Sequence, residues 1–432
     1  MAKKIAKEKY ALLSVYDKTG ITDFARSLIR LGYNIISTGG TSKVLLGNDI
    51  SFIPIQKITG NPESFDGRMK TISFQVGSGI LFDRKNKKHV KEAKALRIKS
   101  IDIVVCNLYP FEETVKKRAP LNEVIENIDV GGPTMIRSAA KNFQNVLVII
   151  DPKDYQEVSN NLKKRNITEN YRRELAGKAF SHLSFYDSQV SKYLNKDIFP
   201  QEITIPGRKI QDLRYGENPH QKGAFYISSD KSALKGIKKL WGRELSLINV
   251  SDINAGIESV RIFKEACSVV IKHNSPSGIA LGKTPQQSLE RAIEADPESA
   301  FGGIIVMNKT LDMKSAKIIS AFKSERRGNV DIVAAPKIKK DALEYLSKVR
   351  KSMGIYELGK ISKPSPEVLN MKWIDDGFIL QTQDIYRVTD LNNLKIVTKI
   401  KPTKKQLEQM KIAWLFSTRI RSNTILVLDK NL

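Results

Sequence analysis

Short apolar runs alternate with amphipathic stretches through the first 150 residues, and this alternation restricts the fold more than any other feature of the chain. Tyr10 to Val15 reads as a strand, Ile21 to Leu31 as a helix, Tyr33 to Ser37 as a strand and Thr41 to Leu46 as a helix. Further strands are predicted at Phe52 to Ile55, Ile101 to Cys106 and Val146 to Ile150, and a long helix at Tyr171 to Leu194. Such a succession builds a doubly wound parallel sheet covered by helices on both faces, an α/β fold. The segment Asn195 to Gly207, with Pro200, Pro206 and Gly207, breaks helical periodicity and marks a domain boundary. Beyond it, Val260 to Ala266 reads as helical, Ser268 to Lys272 as a strand and Pro285 to Ala295 as a helix. A helix from Lys405 to Ser417 and a strand after Arg421, Ser422 and Asn423 echo the segments before Lys272, a weak sign of internal duplication.

A chain of 432 residues with 41% hydrophobic side chains fills two or three domain cores. It contains no apolar run of the roughly 18 residues that a membrane span needs. The N-terminal Met-Ala-Lys-Lys leads into a strand pattern without the apolar core of a signal peptide, so a cytoplasmic location is expected. Cys106 and Cys267 lie far apart, which suits neither a disulfide framework nor a zinc site. The formal charge of +26 invites a nucleic-acid reading, but the lysines are spread along the chain and not gathered into one tract interleaved with aromatics. A solvated Lys-rich surface suited to anionic metabolites is the preferred reading, with a basic nucleic-acid-binding protein as the rival.

Ser37-Thr38-Gly39-Gly40-Thr41 falls where a strand ends and a helix begins, a place where freed N–H groups and the helix dipole hold a phosphate. A tight connection alone would also explain the glycines. Ser14, Lys18 and Thr19 follow the first strand at the same sheet edge, where ligands of open α/β sheets collect. Titratable groups come from Arg68-Met69-Lys70-Thr71, from Asn107-Leu108-Tyr109, and from Asp129-Val130-Gly131-Gly132 running on to Lys141-Asn142. Taken singly, Arg68 and Lys70 are surface cations, Tyr109 a capping aromatic and Asp129 a helix N-cap.

Taken together, Ser14 to Gly20, Ser37 to Thr41, Asn107 to Phe111 and Ala139 to Asn142 resemble the IMP cyclohydrolase domain of the bifunctional AICAR transformylase/IMP cyclohydrolase family, over roughly residues 8 to 195. That resemblance implies a methylglyoxal-synthase-like domain over residues 1–195. Ser14, Lys18, Thr19, Ser37, Gly39, Gly40 and Thr41 would then hold the substrate phosphate. Arg68, Lys70, Thr71, Asn107, Tyr109, Asp129, Gly131, Gly132 and Lys141 would surround the base. The implied reaction closes a formylated aminoimidazole carboxamide ribotide to inosine monophosphate with loss of water, requiring neither metal nor redox cofactor. Lys70, Tyr109, Asp129 and Lys141 are the groups expected to stabilise the oxyanion and move protons. Lysines close to Tyr109 would lower its pKa and favour the phenolate. The family's His-Pro pair after Lys-Thr-Leu is replaced here by Ile72-Ser73-Phe74-Gln75, a change expected to affect loop packing more than chemistry.

In the second half, Leu213-Arg214-Tyr215-Gly216 running to His220 is a polar loop, and Ile271-Lys272-His273-Asn274 ends a buried strand. Neighbours on a strand face opposite ways, so Lys272 and His273 share a pocket only if a turn, expected from Pro276 and Gly278, intervenes. Both segments, with Asp296 to Ile305, Asn249 to Asp252 and Gly377 to Gln381, resemble the transformylase domain of the same family. The resemblance implies a linker at 196–206 and a cytidine-deaminase-like transformylase domain over 207–432. His273 would take the proton of the substrate amine, Lys272 would assist formyl transfer and Asn423 would orient the group. Arg214, Tyr215, His220, Gly302 and Asp331 would bind nucleotide, 10-formyltetrahydrofolate would be the donor, and a homodimer is implied. The chain stops nine residues after Asn423, before the family's Gly-Ala-Gly-Gln segment. The second deaminase-like subdomain is therefore expected to be incomplete and formyl transfer impaired, and a cyclohydrolase with a scaffolding second half is the alternative among enzymes.

Overall fold

The apolar runs of the first half have no polar face to show to water, and all of them are covered. β1 (Lys9–Val15), β2 (Tyr33–Ser37), β3 (Ile53–Pro54), β4 (Ile101–Asn107) and β5 (Leu147–Ile149) form one parallel sheet in the order β3-β2-β1-β4-β5. The computed structural model describes residues 8–228, 232–326, 329–363, 368–385, 391–392 and 394–429, apart from the side chains of 323–326. Two compact units divide the chain, Met1–Pro206 and Gly207–Leu432.

Alternate residues of the first sheet serve opposite cores. Leu12, Ile36, Val104 and Val148 pack with Met135, Ile136, Ala139 and Leu183 on one face. Ala11, Leu13, Ile35 and Val105 pack with Phe24, Leu28 and Val158 on the other. Burying a side chain of this kind stabilises by about 1.5–3 kcal/mol, so the sheet is held from both sides. Its strand order reverses between β1 and β4, and the loops after β1, β2 and β4 open a crevice at the C-terminal strand ends. The helix Gly39–Leu46 begins two residues earlier than the sequence suggests, with Gly39 at a φ of 53° that glycine adopts without penalty. Ser73, at the departure from the family pattern, caps the helix Phe74–Leu81 by accepting the Val76 N–H at 3.1 Å.

The second unit opens with the hairpin of β6 (Arg208–Leu213) and β7 (Gly223–Ile227). Its main sheet combines β8 (Lys238–Trp241), β9 (Ala266–Lys272), β10 (Ser275–Gly282), β11 (Gly303–Met307), β12 (Val330–Ala335) and β13 (Gly354–Glu357) in the order β10-β9-β11-β12-β13-β8. A further hairpin joins β14 (Leu369–Ile374) to β15 (Gly377–Thr382). Two expectations are corrected here. The stretch Val260 to Ala266 is not a helix: Ser246 and Asn249 form a reciprocal capping box that starts the helix at Leu247, it ends at Val260, and Ala266 already belongs to β9. The strand expected after Asn423 is also absent, since residues 424–429 adopt no regular element and Ile425 and Val427 are exposed. The echoed helix Lys404–Ser417 does form, so the proposed duplication extends only to that helix.

Gly256 lets the helix Leu247–Val260 lie close on β11. A Cβ there would stand 2.3 Å from Cγ2 of Val306, a side chain with no room to retreat. Gly256→Ala is expected to cost about 1–3 kcal/mol by overpacking. The shift of the urea midpoint measures it, and an unchanged midpoint would show that the helix can move outward freely.

Candidate active sites

In the first unit the crevice is framed by hydroxyls that serve the sheet itself. Thr41 Oγ1 accepts the Val15 N–H at 2.9 Å and donates to Val15 O at 3.0 Å, while Ser37 Oγ donates to Leu13 O at 3.1 Å. Both hydroxyls are buried, so they fix the start of the helix Gly39–Leu46 against β1. The N–H groups of that helix's first turn lack intrahelical partners, and two ammonium groups flank them. Lys70 Nζ lies 2.8 Å from where a Cβ on Gly39 would stand, and Lys18 Nζ 3.5 Å from the equivalent point on Gly40. A side chain at Gly39 would displace the Lys70 ammonium, while one at Gly40 would come into van der Waals contact with Lys18. Asn107 pins the adjoining loop, its Oδ1 accepting from Tyr16 N at 2.6 Å and Asp17 N at 2.8 Å, and Thr19 Oγ1 donates to Asp17 at 2.7 Å. Ser14 lies on β1 opposite Cys106. Helix start, dipole and two lysines together make an anion cradle.

Beside the cradle stand a carboxyl and a phenol. Asp129 Oδ1 accepts the Gly132 N–H at 2.7 Å, and Oδ2 lies 2.7 Å from where a Gly132 Cβ would be. Thr71 Oγ1 comes equally close to the corresponding point on Gly131, at 2.7 Å. Burial pushes the Asp129 carboxyl above its ordinary value, against the opposing effects of N–H donors from Gly132 and Tyr109 and of nearby Lys70. Tyr109 meets Tyr16 edge-on at 5.8 Å. Its phenol is raised, not lowered: burial acts first, and Asp129, Cys106 and Glu63 add to it. The expected phenolate is thereby corrected, because burial together with Asp129, Cys106 and Glu63 outweighs the lysines at that ring. Glu63, 3.7 Å from Lys70 Nζ, is a member of this group that the sequence did not single out.

Lys141 is not brought to this group. It ends the helix Gly131–Lys141, whose first turn Asp129 caps, and at 1.5 Å per residue the helix separates the two by about 15 Å. Lys141 instead lines a groove of about 740 Å³ with Arg137, Arg173 and Phe180. Arg68 lies at the surface, ion-paired with Glu126.

In the second unit the anticipated turn is made by different residues. Lys272 pairs with Ser275 across a two-residue hairpin whose central positions are His273 at φ 51° and Asn274 at φ 62°, while Pro276 and Gly278 belong to β10. Two left-handed residues in succession are the signature of the type I′ hairpin, whose twist matches the strands. His273 thus projects from a turn and is freed from strand alternation. Asp252, 5% exposed, braces the turn by accepting the Asn274 N–H at 2.7 Å and that of His273, and Ser251 Oγ donates to Asn274 Oδ1 at 2.6 Å. Burial raises the Asp252 carboxyl, with the turn N–H groups and His273 opposing. Lys272 Nζ donates to Phe301 O at 3.1 Å, adjoining Gly302, whose N–H donates to Asn329 O at 2.6 Å. Asp331 on β12 accepts from Arg243 at 2.6 Å. The end of β9 and the starts of β11 and β12 therefore gather Lys272, His273, Gly302 and Asp331 at one sheet edge. Arg214 donates to Tyr215 Oη at 2.7 Å, and the Leu247 N–H donates to Tyr215 O at 3.2 Å, tying that loop to the helix carrying Asp252. His220 sits exposed in the turn closed by Gly216 N–H and Gln221 O at 2.8 Å. Asn423 is exposed on the C-terminal segment, where Ser422 Oγ donates to its Oδ1 at 3.1 Å. Nothing in the sequence singles out Arg243, and Asp252 enters only through the likeness of the run Asn249 to Asp252 to the family.

Known proteins match the chain along almost its whole length. A family model described as AICARFT/IMPCHase bienzyme matches residues 139–432, and an MGS-like domain model matches residues 20–134. A bifunctional purine biosynthesis protein PurH from Persephonella marina is 41% identical over 96% of this chain and 81% of its own length. A PurH from Thermoanaerobacter sp. is 42% identical over 97% of this chain and 82% of its own length. A solved structure, that of ForH, covers 44% of this chain and 99% of its own at 32% identity, with a TM-score of 0.38. With two sites of this kind on two α/β units, and with identity sustained along almost its whole length, the chain belongs to the AICARFT/IMPCHase bienzyme family.

Proposed function

We propose that this chain catalyses the two closing steps of purine nucleotide synthesis, with one site in each unit. Formyl transfer from 10-formyltetrahydrofolate to the aminoimidazole carboxamide ribotide belongs to the second unit, and dehydrating ring closure to inosine monophosphate belongs to the first. The observation that carries the reading is the placement of Lys18 and Lys70 on the two glycines of a helix start, with the Asp129 carboxyl and the Tyr109 phenol alongside. The cradle takes the ribotide phosphate. In ring closure the carboxamide nitrogen bonds to the formyl carbon, the formyl oxygen gathers negative charge, and Lys70 stabilises it. Asp129, made more basic by burial, accepts a proton from the attacking nitrogen. That proton passes to the oxyanion to make a hydroxyl, and Tyr109, kept as a phenol by its surroundings, protonates the departing hydroxyl and recovers a proton from the formamide nitrogen as the C=N bond forms. The chemistry balances as loss of one water, without metal or redox cofactor.

In the second unit the substrate amine bonds to the formyl carbon as His273 takes its proton and Lys272 stabilises the formyl oxygen, and the formyl C–N10 bond then breaks with that proton passed to N10, releasing tetrahydrofolate. Arg214, Tyr215, His220, Gly302 and Asp331 bind the nucleotide, and Asn423 orients the formyl group. A cytoplasmic homodimer completes the reading. No helix among the described residues is long and apolar enough to cross a membrane.

The test supplies purified protein with the formylated ribotide and follows inosine monophosphate. The unformylated ribotide is then given with the folate donor. Product in both assays is expected, with formyl transfer the slower, and ring closure without any transfer would favour a cyclohydrolase whose second unit is a scaffold. Failure of both, together with tight and salt-sensitive RNA binding, would sink the enzymatic reading.

A further inference from the structure

We propose that Tyr186 is a positioning residue for ring closure, its phenol holding the 127–129 loop so that Asp129 faces the reacting atoms. It reaches across from the long helix Glu169–Leu194, almost sixty residues further along the chain, and is 8% exposed. Its Oη accepts the Asp129 N–H at 2.7 Å and lies 3.4 Å from Asn127 O, to which it donates. One hydroxyl therefore clamps the loop from both sides. The ring meets Phe111 edge-on at 6.1 Å, and Phe111 opens the helix that follows Tyr109 and Pro110. The next residue, Asp187, pairs with Arg137 at 2.8 Å on the helix whose first turn Asp129 caps. A single turn of one helix thus touches every segment that carries the proposed acid and base of the first site. Burial pushes the Tyr186 phenol up to about 12, so it remains a donor to Asn127 at physiological pH. The inference rests on the role of Asp129 proposed above.

Tyr186→Phe keeps the ring and removes the clamp. Turnover of the formylated ribotide is expected to fall about tenfold with KM changed less than about twofold, because orientation and not binding is lost. The limb of the pH–rate profile that reports Asp129 is expected to move to lower pH, since a loosened loop admits water to the carboxyl. Ser188→Ala, which deletes a buried hydroxyl bonded to Ser184 O at 2.6 Å on the same helix, should leave both rate and profile unchanged. If Tyr186→Phe does not fold, 3-fluorotyrosine at 186 weakens the same acceptor without removing it, and a smaller drop in turnover with the same pH displacement is expected. Turnover and profile equal to those of the parent overturn the inference. A parent chain that does not close the ring overturns the reading of the site itself, and this inference with it.

Discussion

Asp129→Asn lowers ring-closure turnover by about a thousandfold while leaving the protein at least as stable as the parent at neutral pH. The first half of that result follows from removing a general base, a loss commonly worth about 10²–10⁴ in rate. The second half follows from linkage. Burial raises the Asp129 carboxyl in the folded chain, so the folded state keeps its proton to higher pH than the unfolded state does. Where the folded state binds more protons, stability falls as pH rises, and the deficit is complete above the raised folded value. Below the ordinary carboxylate range both states are protonated and the deficit vanishes. Asparagine carries no such penalty and its Oδ1 still accepts the Gly132 N–H. The melting temperature of the variant relative to the parent should therefore be near zero at about pH 3 and become positive towards pH 7. A variant that melts below the parent at pH 7, or that turns over within threefold of it, would show that Asp129 is a structural cap.

Asp252→Ala is expected to remove formyl transfer by about a hundredfold and to destabilise the second unit by about 2–3 kcal/mol. The carboxylate is buried and receives two N–H groups of the His273–Asn274 turn, each of which would be left without its acceptor. Ring closure should be untouched, since it uses a different unit. Asp252→Asn, which can still accept one of those bonds through its amide oxygen, should fall between parent and alanine variant. Transfer kinetics and denaturant midpoints on the three proteins decide the matter. Transfer at the parent rate in the alanine variant would mean that the hairpin holds its shape unaided.

What could be read in advance was local. A strand buried on both faces is a short continuous apolar run, and each of the five parallel strands announces itself that way within a residue or two. The cradle at Gly39 and Gly40 was legible because strand end, glycines and helix start are contiguous. The sign of the Tyr109 shift was not, because it depends first on how far the ring is buried and then on the approach of Asp129, Cys106 and Glu63 from elsewhere in the chain. Lys141 joins Asp129 only through the family resemblance, and within this chain the helix Gly131–Lys141 holds the two at opposite ends. Tyr186 gave no signal at all: on its helix it falls at a buried position that periodicity reads as ordinary core.

The hairpin that presents His273 places two non-glycine residues at positive φ in succession. Left-handed backbone costs an L residue about 1–2 kcal/mol, which glycine avoids. Natural selection at this position is therefore pulled two ways. His273→Gly would relax the hairpin while removing the imidazole, so stability and the proposed proton transfer make opposite demands on this one position.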